Sequence, residues 1–219
     1  MNLQEARDNM VEQQIRPWNV LDQRVLNVLS ELPRDAFVPA EHASLAYSDT
    51  SISLGEGATM LRPNVEGRLL QALRLTGTES VLHVGTGSGY LTACLARLSG
   101  KVCSVDRVSA FTESAGERLE EQGIDNVELE TGDACEGWRQ EDQFDAIAIS
   151  AAVPEVPECF EQQLAIGGRL FAIIGEASDP IMEAVLVTRL DEDRFERRSL
   201  FETHAECILQ PPSGDKFVF

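Results

Sequence analysis

Basic residues are scarce in this chain. Its 219 residues carry 18 Lys and Arg against 37 Asp and Glu, a formal net charge of −19. A surface of that sign repels phosphate backbones and anionic lipid, which argues against nucleic-acid and membrane-surface partners. Histidine is scarcer still. His42, His83 and His204 lie far apart without ligand spacing, so no metal site is expected. The five cysteines, Cys94, Cys103, Cys135, Cys159 and Cys207, include no C-x-x-C pair and sit among apolar neighbours, the pattern of buried free thiols. No apolar run reaches the length of a membrane span, and the charged first turns around Glu5, Arg7, Asp8 and Glu12 do not make a signal peptide. A reducing cytoplasm is the expected location. Internal repeats and low-complexity segments are also missing.

Glycine, by contrast, is concentrated where it matters. Val81-Leu82-His83-Val84 runs into Gly85-Thr86-Gly87-Ser88-Gly89 and resumes as the apolar stretch from Tyr90 to Ala96. The pattern predicts a strand, a tight turn and a helix whose free N–H groups face a ligand. Two ligand classes use such a turn. The dinucleotide fingerprint G-x-G-x-x-G places a third glycine where this chain has Tyr90. A second strand, Lys101 to Val105, ends at Asp106, about 20 residues on, where a ribose-binding carboxylate belongs. A carboxylate accepts from both vicinal hydroxyls, so the spacing fits an adenosine cofactor without a long pyrophosphate cradle.

The length suits one domain, in which residues 1–76 form N-terminal helices and a lid loop, 77–176 a cofactor-binding core, and 177–219 C-terminal antiparallel strands. Apolar positions at helical intervals over residues 3–32, broken at Pro17, predict two helices. From Tyr47 to Pro63 the chain reads as a long loop with apolar anchors, an ordered cover for a ligand. Strands and helices then alternate, with strands from Val127 and Phe144, a helix over 157–165, a turn at Gly167 and Gly168, and a strand from Arg169 to Ile174. Near-continuous apolar strands separated by helices imply a mostly parallel sheet buried on both faces. Ala184–Leu190, Phe195–Phe201 and Cys207–Leu209 predict an antiparallel ending. Gly85 to Gly89, Asp106, Gly132-Asp133-Ala134 and Ser150-Ala151-Ala152 all fall beyond strand carboxyl ends, where open α/β sheets bind ligands.

Several blocks are recognisable together: Met10-Val11 with Gln14-Ile15, Asp22 to Leu26, Pro33-Arg34-Asp35-Ala36-Phe37-Val38-Pro39, Ala46-Tyr47-Ser48-Asp49, Val84 to Tyr90, Gly132-Asp133, Gly137-Trp138, Phe144 to Ile147 and Gly167 to Leu170. On these the chain resembles the protein-L-isoaspartate O-methyltransferase family, from Met10 to about Ile174. The resemblance implies a Rossmann-like S-adenosylmethionine-dependent methyltransferase fold, an α/β domain with a seven-stranded sheet, an antiparallel C-terminal edge and an N-terminal helical cap. It implies S-adenosyl-L-methionine as cofactor and, as partner, a protein or peptide carrying isoaspartyl residues. Gly85, Thr86, Gly87, Ser88 and Gly89 would wrap the methionine and ribose, Asp106 would hold the ribose, and Asp133 with Ala134 would border the adenine. Tyr47, Asp49 and Thr59 would lie in the lid beside the acceptor.

The chain also departs from the family. The family lid reads Gly-x-Gly-Gln-Thr-Ile-Ser-x-Pro, with the serine as active-site residue, whereas Ala58 replaces the glutamine here and Leu61 the serine. His83 stands where the family has Glu, and Ala134 ends its Gly-Asp-Gly. Methyl transfer to a carboxylate with a pKa of about 4 needs no general base, only alignment and exclusion of water. Leu61 cannot donate a hydrogen bond to that carboxylate, a loss of about 1.5–3 kcal/mol, or ten- to a hundredfold in rate. Three other readings stay open: a paralogue with a different acceptor, a cofactor-binding protein without isoaspartyl activity, and a nicotinamide oxidoreductase. His83 is expected to be a neutral core histidine, unless its ring reaches the cofactor's amino group. Trp138 is expected to be packing, and Arg62 solvent-exposed.

Overall fold

The computed structural model describes residues 2–135, 137–139 and 142–207. The N-terminal cap begins with α1 (Leu3–Asn9), continues through a π-helical segment, Met10–Ile15, and ends in a 3-10 turn, Arg16–Trp18. Asn2 caps α1, its side chain accepting from the Gln4 N–H, and Pro17 closes the run as the sequence predicts. The second helix, α2 (Gln23–Glu31), is capped by Asp22 and buries Val25, Leu26 and Leu29. Two 3-10 turns, Arg34–Phe37 and Ala40–Leu45, lead to the lid.

The lid is more ordered than a loop. Ile52–Gly55 (β1) and Ala58–Met60 (β2) pair antiparallel, with Ile52 opposite Met60 and Ser53 opposite Thr59. Alternation there is too short to register as strands, and the three turn residues Gly55, Glu56 and Gly57 all have positive φ. Ile52 and Met60 are the buried anchors.

After α3 (Pro63–Leu73) come β3 (Ser80–Val84), α4 (Tyr90–Leu98), β4 (Lys101–Asp106), α5 (Ser109–Glu121), β5 (Val127–Thr131), β6 (Phe144–Val153), α6 (Glu158–Gln162), β7 (Leu164–Ile174), β8 (Met182–Arg189) and β9 (Phe195–Thr203). The seven strands from β3 onward form one sheet in the order β5-β4-β3-β6-β7-β8-β9. Pairings from β5 across to β7 are parallel, and β8 and β9 add the antiparallel edge. Leu82, Val84, Ile147 and Ile149 pack on one face, while Val81, Ala146 and Ala148 face the N-terminal helices on the other. No helix among the described residues is long and apolar enough to cross a membrane.

Four local expectations need correction. The Gly167-Gly168 turn is absorbed into β7, where pairing with β6 slips between Leu164 and Arg169, because a glycine pair can bulge within a strand without ending it. The helix expected over 157–165 spans only Glu158–Gln162. Cys207 makes an isolated parallel bridge to Ala152, and residues 208 and 209 of the strand expected there lie outside the described residues. The cysteines are free, but only Cys94 and Cys103 are buried; Cys135, Cys159 and Cys207 are half-buried.

A buried ion pair ties the cap to this core. Arg34 is fully buried and donates to the Glu66 carboxylate of α3 and, at 2.7 Å, to the Leu61 carbonyl that ends the lid. Its guanidinium lies 4.8 Å from the Tyr90 ring centroid at the start of α4, and Phe37 meets the same ring edge-on. Burial pushes the Glu66 carboxyl up to about 7, against the pull of Arg34. Breaking such a pair leaves its partner groups unsatisfied, at a cost of about 3–5 kcal/mol, whereas replacing both partners by apolar groups is often close to neutral. Arg34→Met should therefore lower the urea unfolding free energy by about 3 kcal/mol or more, and Arg34→Met with Glu66→Met should recover most of that loss. A double variant as unstable as the single one would show that the pair is not the source.

Candidate active site

Strand β3 is where the sheet order reverses: the chain builds outward to β4 and β5, then returns to lay β6 on the other side. The loops after β3 and β6 therefore diverge at their carboxyl ends and open a crevice. A cleft lies there, holding about 790 Å³ of empty space with its open mouth included. Gly85 and Gly87 form its floor, Asp106, Arg107, Val108 and Phe111 one wall, Gly132, Asp133 and Ala134 another, with Ser150 and Ala151 of β6 beside the floor. The lid contributes Gly57, Ala58 and Thr59, and Glu206 with Cys207 reach in from beyond β9.

The glycine turn divides its labour. Gly85 has φ +98°, and a Cβ there would sit 2.6 Å from the Ser150 hydroxyl oxygen. Gly89, at φ +86°, serves packing: its Cβ would meet that of Ala115 at 2.9 Å, so glycine lets α4 and α5 approach. Thr86 turns inward to the Ser104 hydroxyl at 2.7 Å, and the buried Ser88 carbonyl accepts from Arg118 at 3.0 Å. Of the five turn residues, Gly85 and Gly87 line the cleft.

Asp106 sits at the end of β4. One carboxylate oxygen accepts from the Gly87 N–H at 2.9 Å and the other from the Val108 N–H at 3.0 Å. A carboxylate has about four acceptor sites, so each oxygen keeps capacity for one hydroxyl of a vicinal diol. Asp133 is exposed at the cleft edge. Hydrogen bonds from the Cys135 side chain and backbone N–H hold its carboxyl below the usual range. Trp138 packs its ring over Gly132, and its indole N–H donates to Glu130 at 3.0 Å. The lining fits an adenosine-bearing cation: Val105, Val108, Phe111 and Ala134 give apolar walls, and three carboxylates stand against the single guanidinium of Arg107. A pyrophosphate would meet repulsion there.

The expected acceptor residues separate. Thr59 faces the cleft. Tyr47 does not: its hydroxyl donates to Asp35 and accepts from Arg7 Nε at 3.2 Å, and Gln14 donates to its carbonyl at 3.0 Å. Burial, chiefly, raises its phenol pKa. Tyr47 thus ties together the cap and lies outside the cleft lining. Asp49 is exposed in the loop, outside the cleft lining. Leu61 is buried in the core, outside the cleft lining, and its carbonyl accepts from Arg34.

His83 is completely buried, and burial lowers its pKa to about 3. It is a neutral core histidine, with Ser150 between its ring and the cleft. Sequence reasoning missed Phe111, although it lies only five residues past Asp106. It also missed Glu206 and Cys207, which reach the site because the Ala152 N–H donates to the Glu206 carbonyl at 2.8 Å. No sequence pattern announces that contact.

Comparison with known proteins agrees with this geometry. Residues 5–204 match the family model described as protein-L-isoaspartate(D-aspartate) O-methyltransferase. A protein-L-isoaspartate O-methyltransferase of Syntrophus aciditrophicus is 40% identical over 190 residues, covering 87% of this chain and 86% of the relative. One from Petrotoga mobilis is 40% identical over 216 residues, 98% of this chain and 99% of its own. A solved protein-L-isoaspartate O-methyltransferase superposes with a TM-score of 0.80 at 25% identity, over 93% of this chain and 66% of the other. A Plasmodium falciparum chain assigned to the same enzymes, solved with S-adenosyl-L-homocysteine, shares the fold at a TM-score of 0.76 and 23% identity, covering 94% and 98%. By the family match and by identity over nearly its whole length, the chain belongs to the protein-L-isoaspartate (D-aspartate) O-methyltransferase family.

Proposed function

We propose that this protein is an S-adenosylmethionine-dependent O-methyltransferase acting on the side-chain carboxylate of isoaspartyl residues in proteins and peptides. The observation that carries the reading is one cleft in which a diol-accepting carboxylate, a glycine floor and a hydroxyl of the lid converge. All three sequence regions line it: Thr59 from residues 1–76, Gly85 to Ser150 from 77–176, and Glu206 from 177–219. They act as one catalytic unit. Its half-buried free thiols suit a reducing compartment such as the cytoplasm.

S-adenosylmethionine supplies, when bound, an electrophilic methyl group on a positively charged sulfur. Asp106 would hold its ribose, Asp133 and Ala134 its adenine edge, and Gly85 and Gly87 leave room for its chain. The acceptor carboxylate is ionised at neutral pH, so no residue here needs to remove a proton. What remains for the protein is orientation and dryness. The β1–β2 hairpin roofs the cleft, and Thr59 is its one hydroxyl-bearing residue in the lining. A donated hydrogen bond from Thr59 to the acceptor carboxylate would take the part that the family gives to the serine two positions later. Leu61 cannot exchange places with it, because its side chain packs in the core.

The first test is transfer of labelled methyl from S-adenosylmethionine to an isoaspartyl peptide beside its aspartyl twin, counted as base-labile ester. Selective labelling of the isoaspartyl peptide is expected; binding of cofactor without that labelling would assign the chain another acceptor. Thr59→Val should lower kcat ten- to a hundredfold with affinity for S-adenosyl-L-homocysteine unchanged, and Thr59→Ser should keep most of the rate. Leu61→Ser should lower Tm and leave the rate no higher; a gain in rate would return the acceptor contact to position 61. Because the folded-state pKa of His83 is about 3, its charge does not change between pH 5.5 and 8. Substituting it should leave the slope of cofactor affinity against pH in that range unaltered, and a changed slope would place its ring in the site.

A further inference from the structure

We propose that Ser150 is a cofactor-positioning residue, held in place by His83 at the head of a directed hydrogen-bond chain that begins and ends in the glycine turn. The proposal rests on the functional reading above only for the identity of the ligand.

The chain of contacts crosses three adjacent strands. Thr86 Oγ1 lies 2.7 Å from Ser104 Oγ, which lies 3.1 Å from Thr92 Oγ1. Thr92 Oγ1 is 2.8 Å from His83 Nδ1, and His83 Nε2 is 3.2 Å from Ser150 Oγ. Ser150 Oγ then lies 2.9 Å from the Gly85 carbonyl oxygen and 3.1 Å from that of Val84. Proton counting gives the direction. Both carbonyls only accept, so the single Ser150 proton is committed to them. His83 Nε2 must then carry the ring proton and donate to Ser150. A neutral ring with its proton on Nε2 has a bare Nδ1, which accepts from Thr92. Ser104 Oγ also lies 3.3 Å from Nδ1, but the single lone pair there is taken by the nearer Thr92, so Ser104 donates to Thr92, and Thr86 donates to Ser104. Each hydroxyl uses its one proton, and each but Thr86 also accepts one.

Position makes this chain more than a satisfied core. Four hydroxyls and an imidazole could be replaced by apolar groups of similar shape with little loss of stability. Their placement instead fixes the two peptide units where β3 becomes the glycine turn. Ser150 is the member of the chain that lines the cleft, and its oxygen occupies the space a Gly85 side chain would need. Without that hydroxyl, the Gly85 carbonyl, beyond the last β3–β6 pair, loses the donor at 2.9 Å and the floor of the cleft can rotate. The position of His83, usually Glu in the family, makes the support uncharged.

The test is calorimetric titration of the intact protein with S-adenosyl-L-homocysteine, which reports binding whether or not any acceptor is methylated. Ser150→Ala should weaken binding roughly five- to tenfold, the scale of one neutral hydrogen bond. With labelled S-adenosylmethionine and an isoaspartyl peptide, KM for the cofactor should rise by a similar factor, with kcat and the peptide KM within twofold of the parent. Ser150→Thr, which keeps the hydroxyl, should restore the affinity. His83→Gln should weaken binding less than Ser150→Ala, and the double variant should be no weaker than Ser150→Ala alone. The His83 ring nitrogens of the parent, read by 15N NMR, should show the neutral Nε2–H form. Unchanged affinity in Ser150→Ala, additive losses in the double variant, or an Nδ1–H ring would each overturn the proposal. Binding without methylation of the isoaspartyl peptide would defeat the functional reading and leave this one standing.

Discussion

The ending of β3 beside a parallel strand, β6, that runs on is the constraint on which this site depends. Val84 pairs in register with Ile149, so the next residue on each strand, Gly85 and Ser150, meets its counterpart at the sheet's carboxyl edge. There β3 turns away toward α4 while β6 runs on to Val153. Gly85 lies past the last β3–β6 pair, so its carbonyl needs another donor, and the Ser150 hydroxyl lies 2.9 Å from it and 3.1 Å from the Val84 carbonyl. A side chain at Gly85 would remove that donor's space. The glycine is therefore required by its neighbour as much as by any ligand.

Electrostatics narrows what the crevice can hold. A glycine turn before a helix is a ready anion site, and on a chain of opposite charge it would invite phosphate. Here the turn's Gly87 N–H is already given to Asp106, and Asp133 and Glu206 face the same space. An internal carboxylate has taken the place that a pyrophosphate would claim. With the excess of acidic residues over the whole chain, the field at the cleft favours a cation, the charge type of a sulfonium.

The parts legible in the sequence were those governed by local periodicity and by single-residue chemistry. The alternation of apolar runs from Val81 to Ile174 marked the parallel strands, Asp106 could be placed by its spacing, and Gly123 ends α5 with positive φ. The lid hairpin escaped because its strands are four and three residues long, too short for an alternation to show. Tyr47 and Asp49 were assigned to the acceptor by resemblance alone. In the fold Tyr47 is consumed by Arg7, Gln14 and Asp35, contacts between segments far apart in the chain. Glu206 enters the site by the same kind of long-range pairing, through Ala152.

Leu61 shows how a divergent position can be absorbed. A leucine in the open cleft would desolvate an ionised acceptor without hydrogen-bonding to it, a net penalty. Turned into the core beside Met60, the same side chain adds apolar burial. Its backbone still serves the lid, since the Leu61 carbonyl is fixed by Arg34, whose other arm holds Glu66 and whose face covers Tyr90. Those contacts join the end of the hairpin to the first residue of α4, directly after the glycine turn. The end of the lid is thus tied down by an ion pair that does not line the cleft. Within the hairpin, Thr59 is the lid side chain whose hydroxyl lines the site. In the proposed reading, the acceptor contact that the family gives to its serine then falls to Thr59, two positions before Leu61 and already in the lining.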